Sequence, residues 1–345
     1  MAKFKAIAYG LGPMGLSIAK LALERKNEVE LVGAVDINPL FKGRDLSELL
    51  QLNRRTGISV TDTAEGLWNE ADIVLHATSS FLSAAKSQLL EFCMHGLDVV
   101  STTEELSYPW FGHDREAQEL DECAKKNGVT LLGTGVNPGF VLDALAITLS
   151  GVCSRVFEIK GERILDALKR RVPFQKKVGI GLSAQEFEEN VRTGKFGHIG
   201  LPESIAMVAS AMGVKIEKID QEITPKICER PIETENFGVV EKGKVIGLVQ
   251  NGRGLAGGRT LISFHIEMYA GAEKPHDTIE IHGIPDINLT IPGGTPGDIA
   301  TAAIIVNSIP RVIESMPGLK TIKDLAPAAS VYSKREDQTV GILES

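Results

Sequence analysis

Cysteine is scarce in this chain: four in 345 residues, Cys93, Cys123, Cys153 and Cys228, widely spaced and without a C-x-x-C. That excludes a disulfide scaffold and a thiolate metal site, and with no charged-then-apolar signal segment before the first strand a reducing cytoplasm is the expected setting. Basic charge is also short. Lys and Arg number 37 against 45 Asp and Glu, a net charge of -8, so there is no broad positive field for nucleic acid or an anionic membrane. Long hydrophobic runs are missing too: "IATAAIIVNSI" at 299–309 falls short of the roughly 20 residues a bilayer requires and reads as a buried helix. The seven histidines form no H-x-x-x-H or H-E-x-x-H, and His276 and His282, on one strand face, lie too far apart to share an ion, so no metal is expected. What remains is 43% hydrophobic content, ample for two cores, and a small molecule as the partner.

The first third alternates β-rich runs with helical patterns, from "FKAIAYG" and "PMGLSIAKLALERK" to "VTLLGTG". This rhythm specifies an α/β fold, a doubly wound parallel sheet over residues 1–140. After "GVNPGFVLDALAITLSG" strand-like runs follow one another, joined by Gly-rich turns such as "NGRGLAGG". A second, α+β domain on a mainly antiparallel sheet is expected over 141–292, and a C-terminal helix and tail over 293–345, the helix returning to the first domain.

"YGLGPMG" places Gly10, Gly12 and Gly15, with Pro13 and Met14 between, in a G-x-G-x-x-G between the first strand and first helix. Gly10 permits the turn, Gly12 lets backbone approach a pyrophosphate, and Gly15 lets helix pack on strand. Asp36 ends the next strand at the spacing where a carboxylate accepts the ribose hydroxyls of NAD. NAD or NADP is therefore the expected cofactor. The carboxylate argues for NAD, while Lys42 and Arg44 lie within reach of a 2′-phosphate. Ala77, Thr78 and Ser79, ending the strand "DIVLHAT", fall on the same sheet edge; helix capping by Ser79 or Ser80 is an alternative.

"VVSTTEELSYPW" ends a strand in two acids. Ser101 to Glu104 and Thr102 to Glu105 both fit a capping box, and spacing alone favours capping. Chemistry points elsewhere: this strand end lacks the His, Lys or Tyr that usually exchanges a proton with a carbonyl or alcohol oxygen. A carboxylate suits amine oxidation, in which an ammonium must lose its proton before hydride departs and water must then be activated against an imine. Burial would raise the pKa of such a glutamate.

"GLGPMG", "STTEELSYP", "GTGVNPGF", "FGHIGLPES", "GDIATAA" and "PGLKTIKDL" together resemble the 2,4-diaminopentanoate dehydrogenases and related amine dehydrogenases, whose fold is similar to that of dihydrodipicolinate reductase. The resemblance runs from residue 4 to about 326. It implies NAD(P)-dependent oxidative deamination of 2,4-diaminopentanoate at C4, giving 2-amino-4-oxopentanoate and ammonia in ornithine breakdown, with Glu104 at the family's catalytic glutamate and a homodimer as the assembly. Dihydrodipicolinate reductase itself is disfavoured, since its paired histidines and K-x-D-x-P-S-G-T block are missing.

An amino acid substrate needs a cationic clamp. Arg163 is the leading candidate, and the basic run "KRRVPFQKK" at 169–177 the competitor, though charge runs usually face water. Asn137 and Pro138 in "GVNPGF" should border the cleft between domains. His198 in "FGHIG", His265 in "LISFHIEM" and Thr301 after "GGTPGD" complete the candidate substrate groups, each with a plain structural role as its alternative.

Overall fold

A computed structural model of the chain describes residues 3–194 and 196–332. The end of the charged tail lies outside them. Seven strands build the first sheet: β1 (Phe4–Tyr9), β2 (Val29–Val35), β3 (Val60–Thr61), β4 (Ile73–His76), β5 (Asp98–Ser101), β6 (Thr130–Gly133) and, from the far end of the chain, β15 (Gly318–Lys320). Their spatial order is β15-β6-β5-β4-β1-β2-β3 and every pairing is parallel. The order reverses between β1 and β4, so the crevice at their carboxyl ends is the ligand position of a doubly wound sheet. Among the helices of this half are α1 (Pro13–Glu24), α2 (Leu46–Leu49), α3 (Leu82–Met94) and α4 (Asp114–Asn127).

The second sheet holds β7 (Arg155–Asp166), β8 (Lys218–Ile227), β11 (Val245–Ala256), β12 (Arg259–Tyr269), β13 (His276–Ile284) and β14 (Ile287–Pro292), in the order β14-β13-β7-β12-β11-β8. Only β7 with β12 is parallel. A hairpin of β9 (Ile232–Thr234) and β10 (Gly238–Val240) interrupts it, and α5 (Ala144–Ser150), α6 (Val172–Lys177), α7 (Ala184–Arg192) and α8 (Leu201–Ala211) accompany it. The run "NGRGLAGG" is not a turn throughout. Strand β11 continues through Gly252 and Gly254 to Ala256, and only Gly257 and Gly258 take positive φ. A Cβ on Gly252 or Gly254 would fall within 3.0 Å of Leu201 or Ile205 side-chain carbons, so these glycines let α8 lie close on the sheet.

The last helix, α9 (Gly297–Ile313), returns to the first sheet as expected. Its Ala302, Ile305, Val306, Ile309 and Val312 share one core with Ala6, Ile18, Ala19 and Leu75. This docking brings the amino end of α9 between the two halves, beside the crevice.

Candidate active site

The glycine turn is fitted to itself. Gly10 has φ of 86°, and a Cβ there would lie 2.6 Å from the Ala77 carbonyl oxygen; at Gly15 it would lie 1.7 Å from the Gly10 carbonyl oxygen. Gly12 differs, because a Cβ there meets nothing, and α1 carries no side-chain cap. Open space over uncapped helix amides is a cradle for a pyrophosphate. The Leu11 and Asn38 amides donate to the two Asp36 carboxylate oxygens at 2.6 and 2.8 Å. Asp36 is thus held at the edge of the cradle, followed by an exposed Ile37. The cations that would favour a 2′-phosphate are engaged elsewhere: Lys42 with Asp62 and Arg44 with Glu48.

Ala77 and Thr78 sit directly against the glycine turn. Exposed Thr78 opens a network that runs inward: its Oγ1 lies 2.8 Å from Nε2 of buried His76, and His76 Nδ1 lies 2.8 Å from Ser101 Oγ. Ser101 in turn bonds both the hydroxyl and the amide of Thr103. Burial pushes the His76 pKa down to about 4, so the ring is neutral at pH 7 and holds the β4 and β5 ends together through hydrogen bonds alone. Ser79 accepts from the Phe81 amide, a local turn bond.

Glu104 follows Thr103 in a 3-10 turn, Glu104–Ser107. Neither capping box forms: Ser101 is consumed by His76 and Thr103, and no side chain caps the turn. Glu105 is a cap, but of a different helix, accepting the first amide of α3 from Leu82 at 2.6 Å. Glu104 is left to face a cavity of about 300 Å3, its Oε2 buried and without a hydrogen-bond partner. Desolvation pushes its pKa up against the opposing pull of Lys177.

Three separated sequence blocks meet at that carboxyl. A Cβ on Gly200, which has φ of 93°, would lie 2.6 Å from the Pro138 ring and 3.3 Å from Glu104 Cβ. The start of α8 thus presses on both. Asp143 fastens the arrangement from behind, accepting from the Gly139 amide and from the Ser204 hydroxyl of α8 at 2.8 Å. Asn137, Pro138, His198, Thr301, Arg163 and Met14 all line the cavity. Asn137 has neither amide atom bonded, and His198 Nε2 is likewise buried and unpartnered. With its backbone gripped by Gln250 and its pKa lowered to about 3 by burial and by Lys177 and Arg163, His198 offers a neutral ring. The Thr301 hydroxyl accepts from the Val136 amide at 3.3 Å, tying α9 to this loop.

Two expectations need correction. His265 is not in this cavity: Phe264 and Ile266 are buried in the core, so strand alternation turns His265 to the opposite face, where it bonds Asn251 and Glu267. Arg163 reaches the wall, but its guanidinium is already occupied. It donates to Asp277 at 2.9 Å and to the Thr295 carbonyl at 2.8 Å, with the ion pair only 2% and 1% exposed. The cations that line the cavity with a freer aspect, Arg170, Arg171 and Lys177, come from the basic run that competes with Arg163.

Residues 140–340 match the family model of the 2,4-diaminopentanoate dehydrogenase C-terminal domain, more than half of the chain. The chain belongs to the 2,4-diaminopentanoate dehydrogenase family. Residues 5–132 match the dihydrodipicolinate reductase N-terminus. The 2,4-diaminopentanoate dehydrogenase of Acetoanaerobium sticklandii is 33% identical over 98% of this chain and 97% of its own length. An amine dehydrogenase from Streptomyces virginiae is 23% identical over 96% and 99%. The solved structure of an amine dehydrogenase from Mycobacterium smegmatis superposes with a TM-score of 0.81 at 28% identity, covering 96% of this chain and 98% of that one. The chain is an NAD(P)-dependent amine dehydrogenase, an oxidoreductase acting on CH-NH2.

Proposed function

We propose that the substrate is 2,4-diaminopentanoate, deaminated at C4 to 2-amino-4-oxopentanoate and ammonia, with Glu104 as the general base. The observation that carries this reading is the buried, unpartnered Glu104 oxygen in a cavity beside the glycine cradle. The glycine turn and Asp36 would hold a nicotinamide dinucleotide, which would supply the hydride acceptor for C4. The chain's own part is proton handling: Glu104 takes the ammonium proton so that the nitrogen lone pair can drive hydride departure, releases that proton to solvent, and as carboxylate takes a proton from the water that attacks the iminium carbon, returning it to the nitrogen as the carbon–nitrogen bond breaks and ammonia leaves. Neutral His198 and the Asn137 amide orient the substrate without competing for that proton. NAD is preferred over NADP, because Asp36 repels a 2′-phosphate while Lys42 and Arg44 are paired; kcat/KM with each cofactor tests this. The assembly is a homodimer formed through the second sheet, on its face opposite the cavity, checked by sedimentation equilibrium.

The deciding assay follows reduced nicotinamide and ammonia separately. The two should appear in equal amounts, and Glu104→Gln should lose about 100-fold or more in kcat while binding NAD normally. Cofactor reduction without ammonia, or a fully active Glu104→Gln, rules the reading out.

A further inference from the structure

The cavity that Glu104 faces is also lined by a polar cluster to which the chemistry at C4 gives no role. Arg170 lies flat against the start of α9: a Cβ on Gly297 would sit 2.8 Å from both terminal guanidinium nitrogens. Its Nη2 reaches Asp298 Oδ1 at 3.2 Å, and the Phe174 ring lies below, 4.8 Å from ring centre to guanidinium carbon. Its Nε is buried without any partner. Arg171 approaches the same Asp298 oxygen at 3.5 Å. Two cations therefore share one carboxylate oxygen. Arg170 is thus left with a buried donor that nothing meets and a carboxylate that it shares with a second cation. Such groups are costly to leave unmet, which points to a ligand that meets them.

We propose that this cluster reads the amino acid head of the substrate: Arg170, with Arg171, takes the α-carboxylate, and Asp298 takes the α-ammonium. The assignment rests on the deamination reading above and extends it to regiochemistry. A guanidinium fork matches a carboxylate in two parallel hydrogen bonds, and the neighbouring carboxylate favours the charge next to it. A diamino acid held by its head presents its distal amine, not its α-amine, to Glu104. Two arginines against the one Asp298 carboxylate leave a net positive charge for the substrate carboxylate to meet.

Three substrates separate the contributions: 2,4-diaminopentanoate, 4-aminopentanoate, which lacks the α-amine, and 1,3-diaminobutane, which lacks the carboxylate. In the wild type, 2,4-diaminopentanoate should exceed each of the others at least tenfold in kcat/KM. Arg170→Gln should collapse its advantage over 1,3-diaminobutane, and Asp298→Asn its advantage over 4-aminopentanoate, mainly through KM. Gly297→Ala should act like Arg170→Gln, because the new methyl displaces the guanidinium while leaving its charge. Equal losses on all three substrates, or unchanged ratios, overturn the assignment. Calorimetric titration with 2,4-diaminopentanoate separates the two proposals. Binding that needs Arg170 but yields no ammonia leaves the head site standing and removes the deamination reading; no binding removes the head site.

Discussion

Arg163→Met distinguishes a structural arginine from a substrate clamp. The guanidinium and the Asp277 carboxylate are 2.9 Å apart and almost fully buried, and Asp277 also accepts the Thr295 amide at 2.6 Å. Removing the cation leaves a buried carboxylate with that amide as its remaining close donor among the described residues. Breaking one side of such a pair costs about 3–5 kcal/mol. At roughly 2–4 °C per kcal/mol for a unit of this size, the melting temperature should drop by about 6–20 °C. Asp277→Asn alone should be similarly harmful, since it strands the arginine. The double variant Arg163→Met/Asp277→Asn keeps an acceptor for Thr295 and removes both charges, so it should recover at least half of the loss. Thermal unfolding of all four proteins closes the cycle. A melting temperature that stays within a degree or two in Arg163→Met, together with a KM raised tenfold for carboxylate-bearing amines only, would refute this reasoning and return Arg163 to the substrate.

Deprotonating the substrate requires Glu104 as carboxylate, and burial has raised its pKa; kcat/KM should therefore fall as pH drops through that value. Lys177→Met removes the cation that opposes the shift, so the acid limb should move to higher pH; a limb that stays put assigns it to another group. Glu203, buried on α8 near Glu104 and Glu105, has its pKa raised to about 7, chiefly by desolvation. Its native form keeps a proton that the unfolded chain loses from about pH 4.5 upward, so stability declines across that window, by roughly 3 kcal/mol once pH exceeds 7. Glu203→Gln should accordingly stabilise the protein at pH 8 and have little effect at pH 4, as read by denaturant titration at the two pH values; equal stability at pH 8 argues against the shift. Gly12→Ala should fold normally yet bind NAD poorly, measured by calorimetry and melting temperature, whereas Gly15→Ala should fail to fold, its methyl falling 1.7 Å from a backbone oxygen. Equal melting temperatures for these two variants would contradict the cradle geometry.

Much of this molecule was legible because its determinants are local. The glycine spacing, the acid at the end of β2 and the alternation of strand and helix each depend on residues within one βαβ unit, and the order β3-β2-β1-β4-β5-β6 follows from them. Strand β8 carries no such local signal. It is an edge strand of "KIDQEITPKI" with no residue fully buried, so it lacks the hydrophobic alternation by which strands are recognised.

The site was less legible, because a side chain's role depends on what the rest of the fold has already spent it on. Arg163 and Asp277 are 114 positions apart, and each alone resembles a free functional group; only the register of β7 against β13, which sets Asp277 opposite Arg163, reveals that they neutralise each other. The run 169–177 errs in the other direction. As sequence it resembles a solvated charge cluster, and it enters the cavity because α9 docks on the first sheet and carries Gly297 and Asp298 to meet it. Glu104 falls between these cases. Its position at a strand end was visible, but the two capping boxes that competed for it are excluded by His76, which claims Ser101, and by α3, which claims Glu105. With those neighbours committed, the Glu104 oxygen is left unpaired in the cavity wall, so Gln at this position should preserve the fold while removing the proton acceptor.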